Sequence, residues 1–138
     1  MSDNKAWAED TGKLLLRVAV GGLMLFHGIF KLQHGIAWMN GMLTAKGLPT
    51  FLAYGAYVGE VVAPILILIG LLTRPSAVAV AGTMIMAVYL AMSDQIFKLT
   101  PVGGWALELN AFYFLGALAV MLLGPGKYSV SRGRSWWG

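Results

Sequence analysis

Residues 14–32 read LLLRVAVGGLMLFHGIFKL. The run is apolar apart from Arg17, His27 and Lys31. Its length suits a membrane-crossing helix, which needs roughly 20 residues for about 30 Å of hydrocarbon. Three comparable runs follow, from Phe51 to Leu72, Pro75 to Phe97 and Trp105 to Leu123. Pro75 fits a first helical turn. Pro64, inside the second run, predicts a kink unless neighbours satisfy the carbonyl it frees. Gly124-Pro125-Gly126 ends the fourth run. The expected fold is all-α: a four-helix antiparallel transmembrane bundle over residues 14–123, with tails at 1–13 and 124–138.

Composition agrees. Of the 138 residues, 58% are hydrophobic and 12% charged, and the mean hydropathy is +0.71. A soluble domain carries about 25% charged residues, so the surplus apolar surface has to face the lipid bilayer. The length fits one compact membrane domain. There is no cysteine, which excludes thiolate nucleophiles, disulfide exchange and Cys-based metal sites. The net charge of +4 comes without a basic soluble face interleaved with aromatics, so nucleic acid is not an expected partner. The first run is too long for a cleaved signal and no small-x-small site closes it, so it is read as a retained helix.

Four crossings put both termini on one side. Lys5, Lys13, Arg17, Arg74, Lys127, Arg132 and Arg134 lie there, against Lys31, Lys46 and Lys98 opposite. The positive-inside rule then predicts cytoplasmic termini. Between the first two runs, Trp38, Met39, Met42 and Leu43 precede Gly47-Leu48-Pro49. That reads as a short amphipathic segment on the outer surface, ended by a turn. Trp136-Trp137 reads either as an interfacial anchor or as part of an unstructured tail.

His27, Lys31, Glu60, Asp94 and Glu108 all thread into, or to the edge of, the same half of the bilayer. Charges in lipid are costly, so they face a protein interior and mark a pathway, a ligand site or an ion pair. His27 and Lys31 are four apart and share a helix face. Glu60 is the deepest; it needs a proton or a partner, and His27 or Lys31 is the natural one. Two readings stay open: an ion pair that fixes helix register, or a pocket that handles protons or binds a ligand. Tyr54 and Tyr57 precede Glu60 at three-residue intervals. With Tyr89 and Tyr113 they are candidates to line a quinone site, anchoring at the interface being the alternative. Arg17, by snorkelling, and Arg74 are candidates for headgroup or partner contact. His27 and His34 are seven apart, about 10 Å along a helix, so they cannot share one haem iron. A His27–Glu60–Glu108 metal site has no spacing motif behind it, and no metal is assigned. Gly55-xxx-Gly59 allows a close helix approach. The eight methionines read as core filler.

Taken in order, these motifs carry a family resemblance. They are Arg17, Gly21-Gly22, His27-Gly28-x-x-Lys31-Leu32, Gly47-Leu48-Pro49, Gly59-Glu60, Gly70, Leu72-Thr73-Arg74-Pro75, Glu108 and Gly124-Pro125-Gly126-Lys127-Tyr128-Ser129. Together, over roughly residues 14–130, they resemble the DoxX family of small bacterial and archaeal membrane proteins. Ser131 stands where that pattern would carry an acidic residue. The resemblance implies a four-helix protein of the cytoplasmic (inner) membrane, associated with oxidoreductase systems. One branch of the family resembles a subunit of thiosulfate:quinone oxidoreductase. Two roles follow: a non-catalytic accessory subunit with a protein partner in a respiratory or redox complex, or a quinone-linked subunit. No redox cofactor motif lies within the chain, so electron transfer would need quinone or a partner's cofactor. A transporter is disfavoured for want of an inverted repeat, unless the protein is a homo-oligomer.

Overall fold

The computed structural model describes residues 3–138. Among them the protein is all-α, with no strand beyond an isolated bridge between Leu99 and Trp105. The first helix, α1 (Asp3–His34), is 32 residues long. At 1.5 Å per residue it measures about 48 Å, more than a bilayer's hydrocarbon thickness. The expected tail at 1–13 is therefore, from Asp3 onward, a polar extension of this helix, because nothing in Asp3–Lys13 breaks it. Gly35, at φ 75°, ends α1 and donates its N–H to the Lys31 carbonyl at 2.8 Å.

A 3-10 turn (Ala37–Met39) leads into the short α2 (Asn40–Ala45). Then come α3 (Thr50–Ile69), α4 (Thr73–Ala91) and α5 (Glu108–Leu123). Among the described residues, α1, α3 and α4, the last with its 3-10 extension to Gln95, are long and apolar enough to cross a membrane. The apolar α5 is shorter, at 16 residues, and packs along α4. The turn between α3 and α4 falls at Gly70–Leu72, not at Thr73-Arg74 as the sequence suggested. Gly70 is left-handed at φ 74°, and both Gly70 and Leu71 donate to the Leu66 carbonyl, a glycine-terminated helix end. The fourth helix starts at Glu108 instead of Trp105, because the Trp105 indole N–H is tied back to the Ile96 carbonyl at 2.7 Å.

The main core draws small and medium apolar residues from all four long elements: Val20 and Met24, Ala63 and Ile67, Val80 and Met84, Ala117 and Val120. Small residues let helix backbones approach closely where lipid offers no hydrophobic drive. A second cluster (Ile36, Leu43, Ala53 and Leu90) docks α2 against the last turns of α4. The connection after α1 is thus anchored through Leu43 as well as lying on the surface. Phe26, Ile85, Phe112 and Leu122 face outward. At the other end of the molecule, the Lys127 N–H donates to Asp10 at 3.1 Å, so the segments near the two termini meet there.

Candidate functional site

The site begins with a distortion in α3. Its Val58–Val62 turn is π-helical, and the Ala63 N–H reaches back five residues to the Val58 carbonyl. The cause lies just beyond: Pro64 has no N–H, so the Glu60 carbonyl loses its α-helical donor. Widened turns of this kind are frequent at functional sites. Gly28 of α1 packs against that carbonyl, and a Cβ at Gly28 would collide with it. On the other side, Gly59 takes the Thr83 side chain into the space its own would fill. Gly55, in contrast, has nothing within 4 Å, so the expected Gly55-xxx-Gly59 pair works through one glycine only.

This packing delivers Lys31, about one turn beyond Gly28, to the Glu60 carboxylate. The two form an ion pair with side-chain exposures of 15% and 5%. The ammonium also lies 5.9 Å from the centre of the Trp38 ring. The Tyr57 hydroxyl donates to the Lys31 carbonyl at 3.4 Å. His27, offered with Lys31 as a partner for Glu60, instead meets the edge of Tyr113, ring centres 5.9 Å apart. The pair borders two cavities. One, of about 170 Å³, is walled by His27, Lys31, Glu60, Met84, Asn110 and Tyr113. The other, of about 290 Å³, lies between α3 and α4 and includes Met39, Gly55, Thr83 and Leu90.

The remaining sequence candidates lie elsewhere. Asp94 sits in an exposed 3-10 turn (Ser93–Gln95) and accepts a hydrogen bond from Gln95 at 3.0 Å. Glu108 opens α5 and folds back over Gly104, where a carboxylate complements the helix dipole. Tyr54 is 65% exposed. Tyr89 turns toward Lys46, whose ammonium is 4.8 Å from its ring centre. Asn110, Thr83 and Met84 were not singled out from the sequence. The signal for Asn110 was available, since an amide inside an apolar span is costly unless it has work to do.

The comparisons with known proteins fit this architecture. Residues 12–93 match the DoxX family. The chain belongs to the DoxX family. It is 37% identical over 122 residues to "Putative oxidoreductase CatD" of Bacillus subtilis (strain 168), covering 78% of this chain and 90% of that one. It is 28% identical over 131 residues to "Inner membrane protein YqjF" of Escherichia coli (strain K12), covering 90% and 92% respectively. No solved structure gives a significant match. With its apolar helices and these relatives, this DoxX chain is a membrane protein.

The other polar cluster of this DoxX protein surrounds Arg17, which is 1% exposed. Instead of snorkelling to headgroups, its guanidinium donates to the Ile67 carbonyl at 2.9 Å and to Leu68 at 2.7 Å. It also donates to Pro125 at 3.0 Å and to Tyr128 at 2.7 Å. In the last turn of α3 the Ile67 carbonyl has only a 3.2 Å backbone donor, from Gly70; helix ends leave such carbonyls short of partners, and a cation suits that negative dipole end. Val130 and Ser131 supply N–H groups to Ile69 and Gly70. The segment after α5 is therefore ordered against α3, without the acidic residue that the family pattern led us to expect. Arg74 stacks on Trp136 at 5.2 Å.

Proposed function

We propose that this protein is a four-span antiparallel subunit of an oxidoreductase system in a cytoplasmic membrane, with both termini cytoplasmic. Its polar cavity holds the headgroup of a quinone between His27, Lys31, Glu60 and Tyr113. The observation that carries this reading is a buried ammonium–carboxylate pair with a cavity on either side. A pair serving register alone has no need of adjoining space. Quinone carbonyls only accept hydrogen bonds. The Lys31 ammonium and the Tyr113 hydroxyl supply donors, and Glu60 keeps the ammonium in place. The quinone supplies the electron-carrying chemistry; these residues bind and orient it. The name of the Bacillus relative supports the oxidoreductase association, and that of the Escherichia relative supports the membrane. The packing of α5 along α4 supports a fourth crossing.

The test is retention. Protein purified in mild detergent is extracted, and its quinone content is measured by mass spectrometry. Wild type and an Asp94→Asn control should retain quinone; Glu60→Gln and Tyr113→Phe should lose most of it. A wild type without quinone, or equal content in all four, overturns the reading.

A second reading is a ligand-free accessory subunit in which Lys31–Glu60 fixes the register of α1 on α3. The seating of Gly28 against the Glu60 carbonyl, one turn from the pair, favours it. Its signature is a co-purifying protein partner held equally by wild type and Glu60→Gln.

A further inference from the structure

A further cleft runs between α4 and α5 and opens sideways, where lipid would lie. Its volume is about 320 Å³, within the range of ligand pockets. Ile85 and Val88 of α4 form one wall, and Ala111 and Phe114 of α5 the other. Met84 and Asn110 also line the cleft, and the same two residues line the polar cavity beside His27, Lys31, Glu60 and Tyr113. Their side chains form a wall common to the two spaces. The Asn110 amide carries two N–H groups and a carbonyl with two lone pairs. Among the described residues, its side chain's only hydrogen bond is a 4.0 Å contact from Nδ2 to the Met84 sulfur. A polar side chain so weakly partnered within a membrane-spanning region marks a functional position.

We infer that this cleft seats the hydrocarbon tail of the quinone and that Asn110, in the common wall, donates to a headgroup carbonyl and so sets which headgroup is accepted. The inference rests on the quinone reading above. The order of chemistry suits such an amphiphile: apolar walls in the cleft, an amide in the common wall, an ammonium and a hydroxyl beyond it. Met84 is unbranched and flexible, and turning it off Asn110 frees the amide. A phospholipid acyl chain fits the apolar walls but itself offers the Asn110 amide no hydrogen-bond acceptor.

Two probes separate the inference from the reading beneath it: a benzoquinone with a ten-carbon tail, and the same headgroup without a tail. Binding of each to the detergent-solubilised protein is measured by calorimetry. Ala111→Phe and Val88→Phe fill the cleft from opposite walls, so that one folded variant suffices, and melting temperature reports folding. Each should weaken the tailed probe about tenfold or more, what withdrawing roughly two methylenes costs, and leave the tail-less probe within about twofold. Asn110→Leu should weaken both probes. If the tail-less probe binds wild type and the filled variants bind the tailed one normally, the cleft is not the tail site, and the quinone reading stands. If Asn110→Leu leaves both affinities unchanged, the amide has no part in recognition. If wild type binds neither probe, the quinone reading falls and this inference with it.

Discussion

Lys31 and Glu60 come from α1 and α3, and their pairing places a buried charge of each sign beside the α3 turn that Pro64 widens. Removing one partner strands the other. Breaking a buried pair in this way costs about 3–5 kcal/mol. Glu60→Gln and Lys31→Met should each lower thermal stability in detergent, and the double variant should recover part of the loss, with coupling of roughly 0.5–3 kcal/mol. Strictly additive losses would mean that the two side chains do not depend on each other.

Arg17 should be irreplaceable even by lysine. Its planar fork reaches carbonyls in two separate segments, which a single ammonium cannot span in the same geometry. Each buried carbonyl left unpaired costs about 1–3 kcal/mol. Arg17→Gln should therefore lose about 3 kcal/mol or more, and Arg17→Lys a smaller part of it. Trypsin should also cut after Lys127 and Arg132 faster in both variants. Unchanged melting and unchanged cleavage would refute this account of the α3 end.

The three glycines of the α1–α3–α4 contact should respond unequally. Gly28→Ala meets backbone, which cannot step aside, and overpacking of this kind costs about 1–3 kcal/mol. Gly59→Ala meets the Thr83 side chain, so Thr83→Ala should partly restore it. Gly55→Ala meets nothing and sits at a helical φ of −58°, so it should be neutral or gain about 0.5–1 kcal/mol. Equal losses at all three, read by thermal unfolding, would contradict the packing.

Reporter fusions after Arg74 and after Lys98 should report opposite sides of the membrane, with the Arg74 fusion cytoplasmic. The basis is the Lys/Arg asymmetry and the placement of these residues at opposite ends of α4. The same side for both would sink the proposed topology.

Depth was legible in the sequence and direction was not. The apolar runs located the helices, and the His27–Lys31 spacing put both side chains on one face of α1, in the same half of the bilayer as the deeper Glu60. Asp94 and Glu108 were placed in that half too, but Asp94 sits in the exposed turn beyond α4 and Glu108 folds back over Gly104 at the start of α5; α4 and α5 are apolar on most of their faces, with lipid on one side and core on the other. An amphipathic stripe, which would fix rotation in a soluble helix, is missing. Tyr54, Tyr57 and Glu60 were aligned by assuming one helical period. The chain there passes from a 3-10 turn through α into a π turn, which changes the phase, so Tyr54 is turned outward. Arg17 was misread because its acceptors come from Ile67, Leu68, Pro125 and Tyr128, distant in sequence and contributed as backbone, which no side-chain pattern announces.

Those acceptors also impose an order on biosynthesis. Arg17 leaves the ribosome before its acceptors do, since the carbonyls of Pro125 and Tyr128 lie 108 and 111 positions later. Until that last stretch is made, the nascent first helix carries a cation whose final cage is half built. Closure around Arg17 therefore waits for the segment after α5, and a chain halted after α4 would present a charge with only part of its acceptors, a defect open to membrane quality control.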